Sequence, residues 1–283
     1  RLPLVVPRHP RPNPPRPSMS DEGRMPFLAH LEELRKRLII SFSAIGVAFV
    51  LAFNIREYCL RLLQWPLTTD IVVGRTFPFI LFRGKPPIAK LTALGPAETL
   101  WTHFKVAFIV GTMLAIPVVL YQIWKFIEPG LLQKEKRFAL PFVILSTISF
   151  FTGVAFCFFI VLPMAMQFLL TFDPSIQQMP RFGEYVDFTL KFLLAFGLIF
   201  ELPLILLILG RLGVVGYRGL ARNRRYALLL NAVVSAILTP TPDAYTMLLM
   251  MAPIQVLYAA SVWLVRILGR KKAGAEEAGL QQQ

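Results

Sequence analysis

Three glutamates are the residues in this sequence whose side chains most need a binding partner. Glu135 is the single acid in the basic tetrapeptide KEKR at 134–137, and Glu33 lies in HLEELRKRL at 30–38. Glu201 lies inside an apolar run, where an ionisable group costs at least about 2.5 kcal/mol and usually faces a partner or a cavity. A carboxylate accepts several hydrogen bonds and pairs with cations. These acids are therefore candidates for binding rather than for structural roles alone.

The surroundings of Glu33 leave two interpretations open. Glu32 with Lys36 and Glu33 with Arg37 have i,i+4 spacing, in the order that stabilises a helix. A helix at the membrane surface that is stabilised by its own ion pairs would have the same pattern. The spacing alone does not decide between this structural role and a binding role for Glu33.

Residues that would mark an enzyme or a metal centre are scattered through the chain. Ser146 and Ser235 fall in apolar runs without histidine, whereas an intramembrane protease needs serine with histidine or paired aspartates. Neither metal-ligand spacing nor a CxxC motif is found among the histidines and cysteines, which are His9, His30, His103, Cys59 and Cys157. We therefore expect no enzymatic activity, no metal and no cofactor.

The elements that must position the three acids are membrane helices. The sequence is 55% hydrophobic with a mean hydropathy of +0.60, which is far from ordinary globular composition. One long apolar run, at 188–212, carries Glu201 and then Pro203. The apolar runs of the sequence are continuous rather than alternating, which excludes a β-barrel. A bilayer core needs roughly 20 apolar residues. The sequence therefore predicts an all-α polytopic membrane protein with six transmembrane helices. The other five apolar runs lack any charged residue: 38–55, 106–124, 138–172, 226–242 and 244–265.

Two of these runs have unusual lengths. The run at 138–172 is too long for an upright span and too short for two, so we expect one long helix that bends near Gly153 or Pro163. The stretch 226–238 corresponds to only about 20 Å of helix. It is joined to the last run by the tight turn LTPTPD at 238–243, so this hairpin should thin the membrane locally.

The charge distribution predicts the orientation and the domain bounds. A net charge of +14 fits a membrane protein whose basic loops face the cytoplasm and anionic lipid, and it does not require nucleic acid. The predicted parts are a Pro/Arg-rich disordered tail at 1–24, artefactual before Met19, a membrane domain at 25–270 and a polar cytoplasmic tail at 271–283. The loop at 54–97 should be a cap of short pieces because it is rich in proline. Both termini are placed in the cytoplasm by basic residues that flank them: Arg35, Lys36, Arg37, Arg266, Arg270, Lys271 and Lys272.

Several short motifs, in one order along the chain, resemble the TatC family, the multispanning receptor subunit of the twin-arginine protein translocase. They are HLEELRKRL at 30–38, PVVLYQIWKF at 117–126, KEKR at 134–137, FELP at 200–203 and LTPTPD at 238–243. The resemblance implies a glove-like, concave bundle in the cytoplasmic (inner) membrane. It also implies recognition of twin-arginine signal peptides on folded cargo, and export driven by the proton-motive force within an oligomeric complex with the single-span partners TatA and TatB.

The resemblance also implies roles for particular residues. Glu33 and Glu135 match the acids implicated in signal-peptide binding, and Phe126 matches a residue near them. Two adjacent arginines suit two carboxylates, because a guanidinium is a rigid fork of donors that a carboxylate meets in a bidentate way. Glu201 matches an intramembrane acid, and we expect it to bond, in its protonated form, to a polar group on a partner's helix.

The last hairpin is expected to face the single-span partners through Thr239, Pro240 and Asp243. Some relatives carry a Ser-Gln pair after this aspartate, whereas Thr246 and Met247 stand here, so a role for that pair is not carried over.

One alternative from another class of protein is a secondary transporter of a small solute. Such a transporter would have a broken helix pair near the membrane midplane and two related halves. Pro203 is compatible with a broken helix, but the sequence shows no internal repeat.

Overall fold

The computed structural model describes the backbone of residues 19–67, 69–73, 80–84, 91–127, 139–172, 175, 179–211, 213–239 and 243–268. Side chains are described from His30 onward, except in the two strands and at Ala139. The predicted tails at 1–24 and 271–283 lie largely or wholly outside this part of the chain, and their bounds stay predictions.

Ten α-helices are found in the described residues. They are α1 (Met19–Asn54), α2 (Arg56–Leu63), α3 (Pro96–Ile127), α4 (Ala139–Phe156), α5 (Leu162–Thr171), α6 (Phe182–Ile199), α7 (Leu202–Arg211), α8 (Tyr217–Arg222), α9 (Arg224–Leu238) and α10 (Ala244–Leu268). The all-α fold class predicted from the sequence is therefore confirmed, and the bounds of the membrane domain stay a prediction.

Five helical segments of the described chain are long and apolar enough to cross a membrane: His30–Asn54, Pro96–Ile127, Leu140–Thr171, Phe182–Arg211 and Ala244–Leu268. The fifth predicted span corresponds to α9, which has 15 residues and a length of about 22 Å. It is shorter than a bilayer core. A total of six spans therefore stays a prediction.

The long third span is a single helix with one irregular turn. Between α4 and α5 the residues Cys157–Val161 form a π-helical turn, and Pro163 follows two residues later. Proline has no N–H and its ring clashes with the carbonyl four residues earlier, here that of Phe159. The wider π turn relieves this clash. The predicted single helix is confirmed, and its departure from α geometry lies just before Pro163 rather than at Gly153.

The fourth span is broken between α6 and α7, next to Glu201. The N–H of Glu201 donates to the carbonyl of Leu198 at 3.1 Å, and helical bonding resumes where Ile205 N–H donates to the carbonyl of Glu201 at 2.9 Å. Pro203 offers no N–H to the carbonyl of Ile199, so the α-helix cannot continue unbroken. The acid therefore lies at a break in its helix.

Helices α4 and α6 approach each other closely at two glycines. A Cβ atom on Gly197 would lie 2.5 Å from the ring of Phe150, and one on Gly153 would lie 2.6 Å from the carbonyl oxygen of Phe196. Phe150, Phe192 and Phe196 are fully buried around this contact. Small residues at such crossings let membrane helices pack backbone to backbone, and here they hold α4 against the break at Glu201.

The loop after α1 consists of short elements, as predicted. Helix α2 and a 3₁₀ turn at Trp65–Leu67 lead into strands β1 (Thr69–Val73) and β2 (Ile80–Gly84). The strands pair in antiparallel register, with Thr69 opposite Gly84 and Val73 opposite Ile80. The sequence analysis did not anticipate this two-stranded sheet, nor the isolated parallel bridge between Thr92 and Arg181.

Helices α3 and α6 start from the same end of the bundle. The Glu98 Oε1 atom accepts a hydrogen bond from the N–H of Gly183 at 3.0 Å, and Lys105 Nζ lies 2.7 Å from Asp187 Oδ2. The other end holds the start of α1 and the ends of α3, α7 and α10, and we call it the basic end because Arg35, Arg222 and Arg266 lie there.

Candidate functional site

Glu33 lies on α1 at the basic end, and Arg37 holds it in place. Arg37 Nη2 donates to Glu33 Oε1 at 3.1 Å, which confirms the helical pair predicted from the sequence. The same guanidinium donates through Nη1 to Gln122 Oε1 of α3 at 3.4 Å. The side chains of Glu33 and Arg37 are 29% and 25% exposed. Arg37 thus links the carboxylate to α3 while leaving Glu33 accessible.

Phe126 lies four residues after Gln122 on α3, and it packs against α1. Its ring stacks on His30, with ring centroids 4.3 Å apart and an angle of 17° between the planes. His30, Glu33 and Arg37 have i, i+3, i+7 spacing and share one face of α1. Glu33 therefore lies between the two contacts that join α1 to α3. Phe126 thus packs on α1 at His30, one turn before Glu33, and a direct contact between Phe126 and Glu33 stays a prediction.

The sequence analysis missed His30 and Gln122 as members of this site. His30 was treated as a scattered histidine, although its helical spacing with Glu33 and Arg37 is a signal that could have found it. Gln122 gave no such signal, because a buried polar residue in an apolar run is recognised only when its partner on another helix is known. It is 7% exposed.

Glu135 lies in the segment 128–138, outside the described residues, so its distance from Glu33 stays untested. The helices on either side of that segment are joined by Trp124, which is buried and stacks on Phe142 of α4 with centroids 4.7 Å apart. Lys125 Nζ lies 6.0 Å from the centroid of the Tyr121 ring. The segment that carries Glu135 therefore connects two helices that contact each other.

Glu201 is 5% exposed at the break between α6 and α7. The hydroxyl of Ser146 on α4 donates to its Oε2 atom. Its Oε1 atom is buried and has no hydrogen-bond partner among the described residues. Ser149, three residues after Ser146, donates to the carbonyl of Phe200 at 2.7 Å. Two serines of α4 thus satisfy part of the broken helix, and one buried carboxyl oxygen has no hydrogen bond among the described residues.

In the last hairpin, Thr239 and Asp243 bond within their own segment. The Thr239 hydroxyl is buried and donates to the carbonyl of Ser235 at 2.6 Å. Asp243 Oδ1 accepts from the N–H of Thr246 at 2.7 Å, and its Oδ2 accepts from the Thr246 hydroxyl. This is the geometry of an N-cap, which stabilises the start of a helix. Pro240 lies outside the described residues, and a partner-facing role of the hairpin stays a prediction.

The fold and the site define the class of protein. Apolar membrane helices carry a positioned, accessible carboxylate at their basic end and a half-satisfied acid at a helix break. In the described ranges, no three His, Cys, Asp or Glu side chains cluster as metal ligands would. These features describe a polytopic helical membrane protein with acids at its basic end and at a helix break.

Comparison with known proteins identifies the family. Residues 29–253 match the family described as Sec-independent protein translocase protein (TatC), and the chain belongs to that family. It is therefore a component of a protein translocase and not an enzyme. A Sec-independent protein translocase protein TatC from Desulforapulum autotrophicum is 42% identical over 91% of this chain and 90% of the relative. One from Aquifex aeolicus is 36% identical over 90% of this chain and 100% of the relative.

The fold agrees with a solved structure of the family. A crystal structure described as the twin arginine translocase receptor TatC superposes with a TM-score of 0.72 at 35% identity, covering 85% of this chain and 100% of that one. These relatives support the translocase interpretation, and none of them supports the small-solute transporter.

Proposed function

We propose that this protein is the receptor for twin-arginine signal peptides in a Sec-independent translocase of the cytoplasmic membrane. The observation that carries the proposal is the accessible Glu33 carboxylate, held by Arg37 at the basic end and flanked by the stacked pair of His30 and Phe126. A related solved protein is described as the twin arginine translocase receptor. In this proposal six helices span the membrane and both termini face the cytoplasm.

The geometry of Glu33 suits an incoming guanidinium. Arg37 engages the Oε1 atom, and a carboxylate has lone pairs for about four hydrogen bonds, so the side chain can accept a further bidentate donor. A partly exposed i,i+4 pair contributes only about 0.3–0.5 kcal/mol. The peptide's arginine can therefore share Glu33 with Arg37, or replace Arg37 there, at little cost in free energy. Arg37 would keep its hydrogen bond to Gln122.

Phe126 supplies an apolar surface beside the acid. One face of its ring is covered by His30, and the residue is only partly buried. An arginine bound at Glu33 would place its aliphatic stem and planar head near an aromatic edge, and arginine stacks on aromatic rings more readily than lysine does. We assign to Glu135 the second arginine of the pair, from the loop that joins α3 to α4.

Site-specific photocrosslinking to a signal peptide tests the proposal. A photoreactive residue is placed at position 126 and the peptide carries either Arg-Arg or Lys-Lys. Glu33→Gln should lower crosslinking of the Arg-Arg peptide about tenfold, because one charge-assisted contact of about 1.5 kcal/mol is weakened.

The matched control is Glu32→Gln, since Glu32 is the exposed neighbour of Glu33 on the same helix. It should leave crosslinking unchanged. Equal loss in both variants would mean that only the overall charge of α1 matters. Equal crosslinking of the two peptides to the protein that carries only the photoreactive residue would contradict recognition of the guanidinium fork.

We assign the free Oε1 of Glu201 and the last hairpin, Thr239 to Asp243, to contacts with the single-span subunits TatA and TatB in an oligomeric complex. A buried carboxyl oxygen without a partner in an apolar helix is costly, and a polar group on a neighbouring membrane helix would satisfy it. In this proposal, export of folded cargo by the assembled complex uses the proton-motive force.

A further inference from the structure

Four exposed arginines surround the junction of α8 and α9 at the basic end. We call Arg218, Arg222, Arg224 and Arg225 the arginine patch. The sequence contains no Asp or Glu from 202 to 242. Within the described residues, none of these four side chains has a carboxylate within 4 Å. The patch is thus a concentration of positive charge that the neighbouring chain does not neutralise.

The patch is held on α10 rather than on a free loop. The Tyr258 hydroxyl of α10 donates to the carbonyl of Leu220 in α8 at 2.9 Å. The Arg266 guanidinium lies 5.6 Å from the centre of the Tyr217 ring. Asn223 links the two helices, since its N–H bonds to the carbonyl of Gly219 and its own carbonyl accepts from Tyr226 N–H at 3.0 Å. These contacts fix the backbone that carries all four arginines.

The start of α9 increases the positive potential of the patch. Its first turn contains Arg224 and Arg225 and no acid, and its N-cap Asn223 makes no side-chain capping bond. The N-terminus of a helix carries the positive end of the helix dipole and is normally compensated by acidic residues. Here two cations occupy that turn, so the compensating anion has to come from outside this part of the chain.

The next turn of α9 indicates which anion this is. Leu228, Leu229 and Leu230 follow directly along the helix and are 45%, 65% and 62% exposed, and Tyr226 between the arginines and the leucines is 59% exposed. Arginine, then tyrosine, then leucine is the order of a membrane interface, in which headgroups meet cations and acyl chains meet apolar side chains. A soluble acidic peptide would pair with the arginines but would not supply an apolar surface for these exposed leucines.

We infer that the arginine patch is a binding site for the phosphodiester headgroup of an anionic phospholipid, whose acyl chains lie along the exposed leucines of α9. Basic pockets between membrane helices bind such headgroups in other proteins. The lipid supplies the negative charge that the start of α9 lacks. It also gives this short helix a defined position at the membrane surface.

Native mass spectrometry of the purified full chain, titrated with phosphatidylglycerol or phosphatidylcholine in detergent micelles, tests this inference. Arg218→Gln with Arg222→Gln should weaken phosphatidylglycerol binding ~30-fold, because each arginine near an anionic surface contributes roughly fivefold. Phosphatidylcholine should bind weakly and equally to both proteins. Inorganic phosphate at millimolar concentration should not displace the lipid.

The matched control is Arg35→Gln with Lys36→Gln. These two exposed cations lie at the same end of the bundle but beside Glu32 and Glu33, and their loss should change lipid binding less than about threefold. Equal weakening in both double variants would overturn the inference, because it would show attraction by net charge alone. Displacement by inorganic phosphate would also overturn it, since the site would then bind a free anion. Circular dichroism of each variant verifies that the helices are retained.

Discussion

The bond between Ser146 and Glu201 allows stability and function to be separated by mutation. Ser146 is 3% exposed, and its hydroxyl is the bonding partner of Glu201 Oε2 among the described residues. In Ser146→Ala, neither carboxyl oxygen would have a described partner. An unsatisfied buried acceptor costs about 1–3 kcal/mol, and interhelical hydrogen bonds in membranes contribute at most about 1.7 kcal/mol. We therefore expect Ser146→Ala to lower the free energy of unfolding by about 1–1.7 kcal/mol.

Glu201→Leu should have the opposite pattern. It removes a costly buried acid, and the Ser146 hydroxyl can then bond to the carbonyl one turn earlier, as Thr152 does with Ile148 at 2.7 Å on the same helix. Its free energy of unfolding should equal or exceed that of the unmodified protein. Export should nevertheless be lost, because the Oε1 atom proposed to contact a partner is gone. Glu201→Gln keeps a polar hydrogen-bonding group at that position and should retain much of the export.

Two assays measure these quantities separately. Thermal unfolding of the purified protein in detergent gives stability, and export of a folded reporter with a twin-arginine signal, in a strain that lacks the native subunit, gives function. Ser146→Ala should be less stable but still export, and Glu201→Leu should be stable but inactive. The reasoning is refuted if Glu201→Leu is destabilised by more than about 1 kcal/mol, since Glu201 would then be a structural residue, or if Ser146→Ala alone abolishes export.

Two further predictions concern packing and charge. Gly197→Ala should destabilise the protein by about 1–3 kcal/mol, because the new methyl group would lie 2.5 Å from the Phe150 ring. A lower Tm that Phe150→Leu restores would verify this. An unchanged Tm would contradict the close contact of α4 and α6. Lys105→Met should lower stability by less than about 1 kcal/mol, because the ion pair with Asp187 is 33% exposed on both sides; a larger loss in a thermal unfolding assay would show that the pair is shielded from solvent.

Much of the fold could be predicted from local sequence patterns. The long apolar runs predicted the positions of the long helices, because the bilayer admits only segments that satisfy their own backbone hydrogen bonds. Pro163 and Pro203 each marked an irregular turn, since proline removes a backbone donor wherever the chain folds. The strands of the cap were missed, because TDIVV and ILFRG are short and proline-rich sequence surrounds them.

The candidate site was only partly predictable. Glu33 and Glu201 were singled out by residue type and surroundings and Phe126 by the family motif, and their roles stay predictions. The pairing of Glu33 with Arg37 followed from helical spacing. The partners that give these residues their geometry lie far away in sequence. Arg37 and Gln122 are 85 residues apart, and Ser146 and Glu201 are 55 residues apart.

The sequence alone therefore determined which segments are membrane helices, where they break and which acids lie in unusual surroundings, because these properties depend on each residue and its near neighbours. The tertiary structure decided which side chain meets each acid and that the arginines around Asn223 are held against α10. Such contacts arise where helices cross, and the crossing points depend on close packing, as at Gly153 and Gly197. Packing between distant segments leaves no periodic pattern in a single chain.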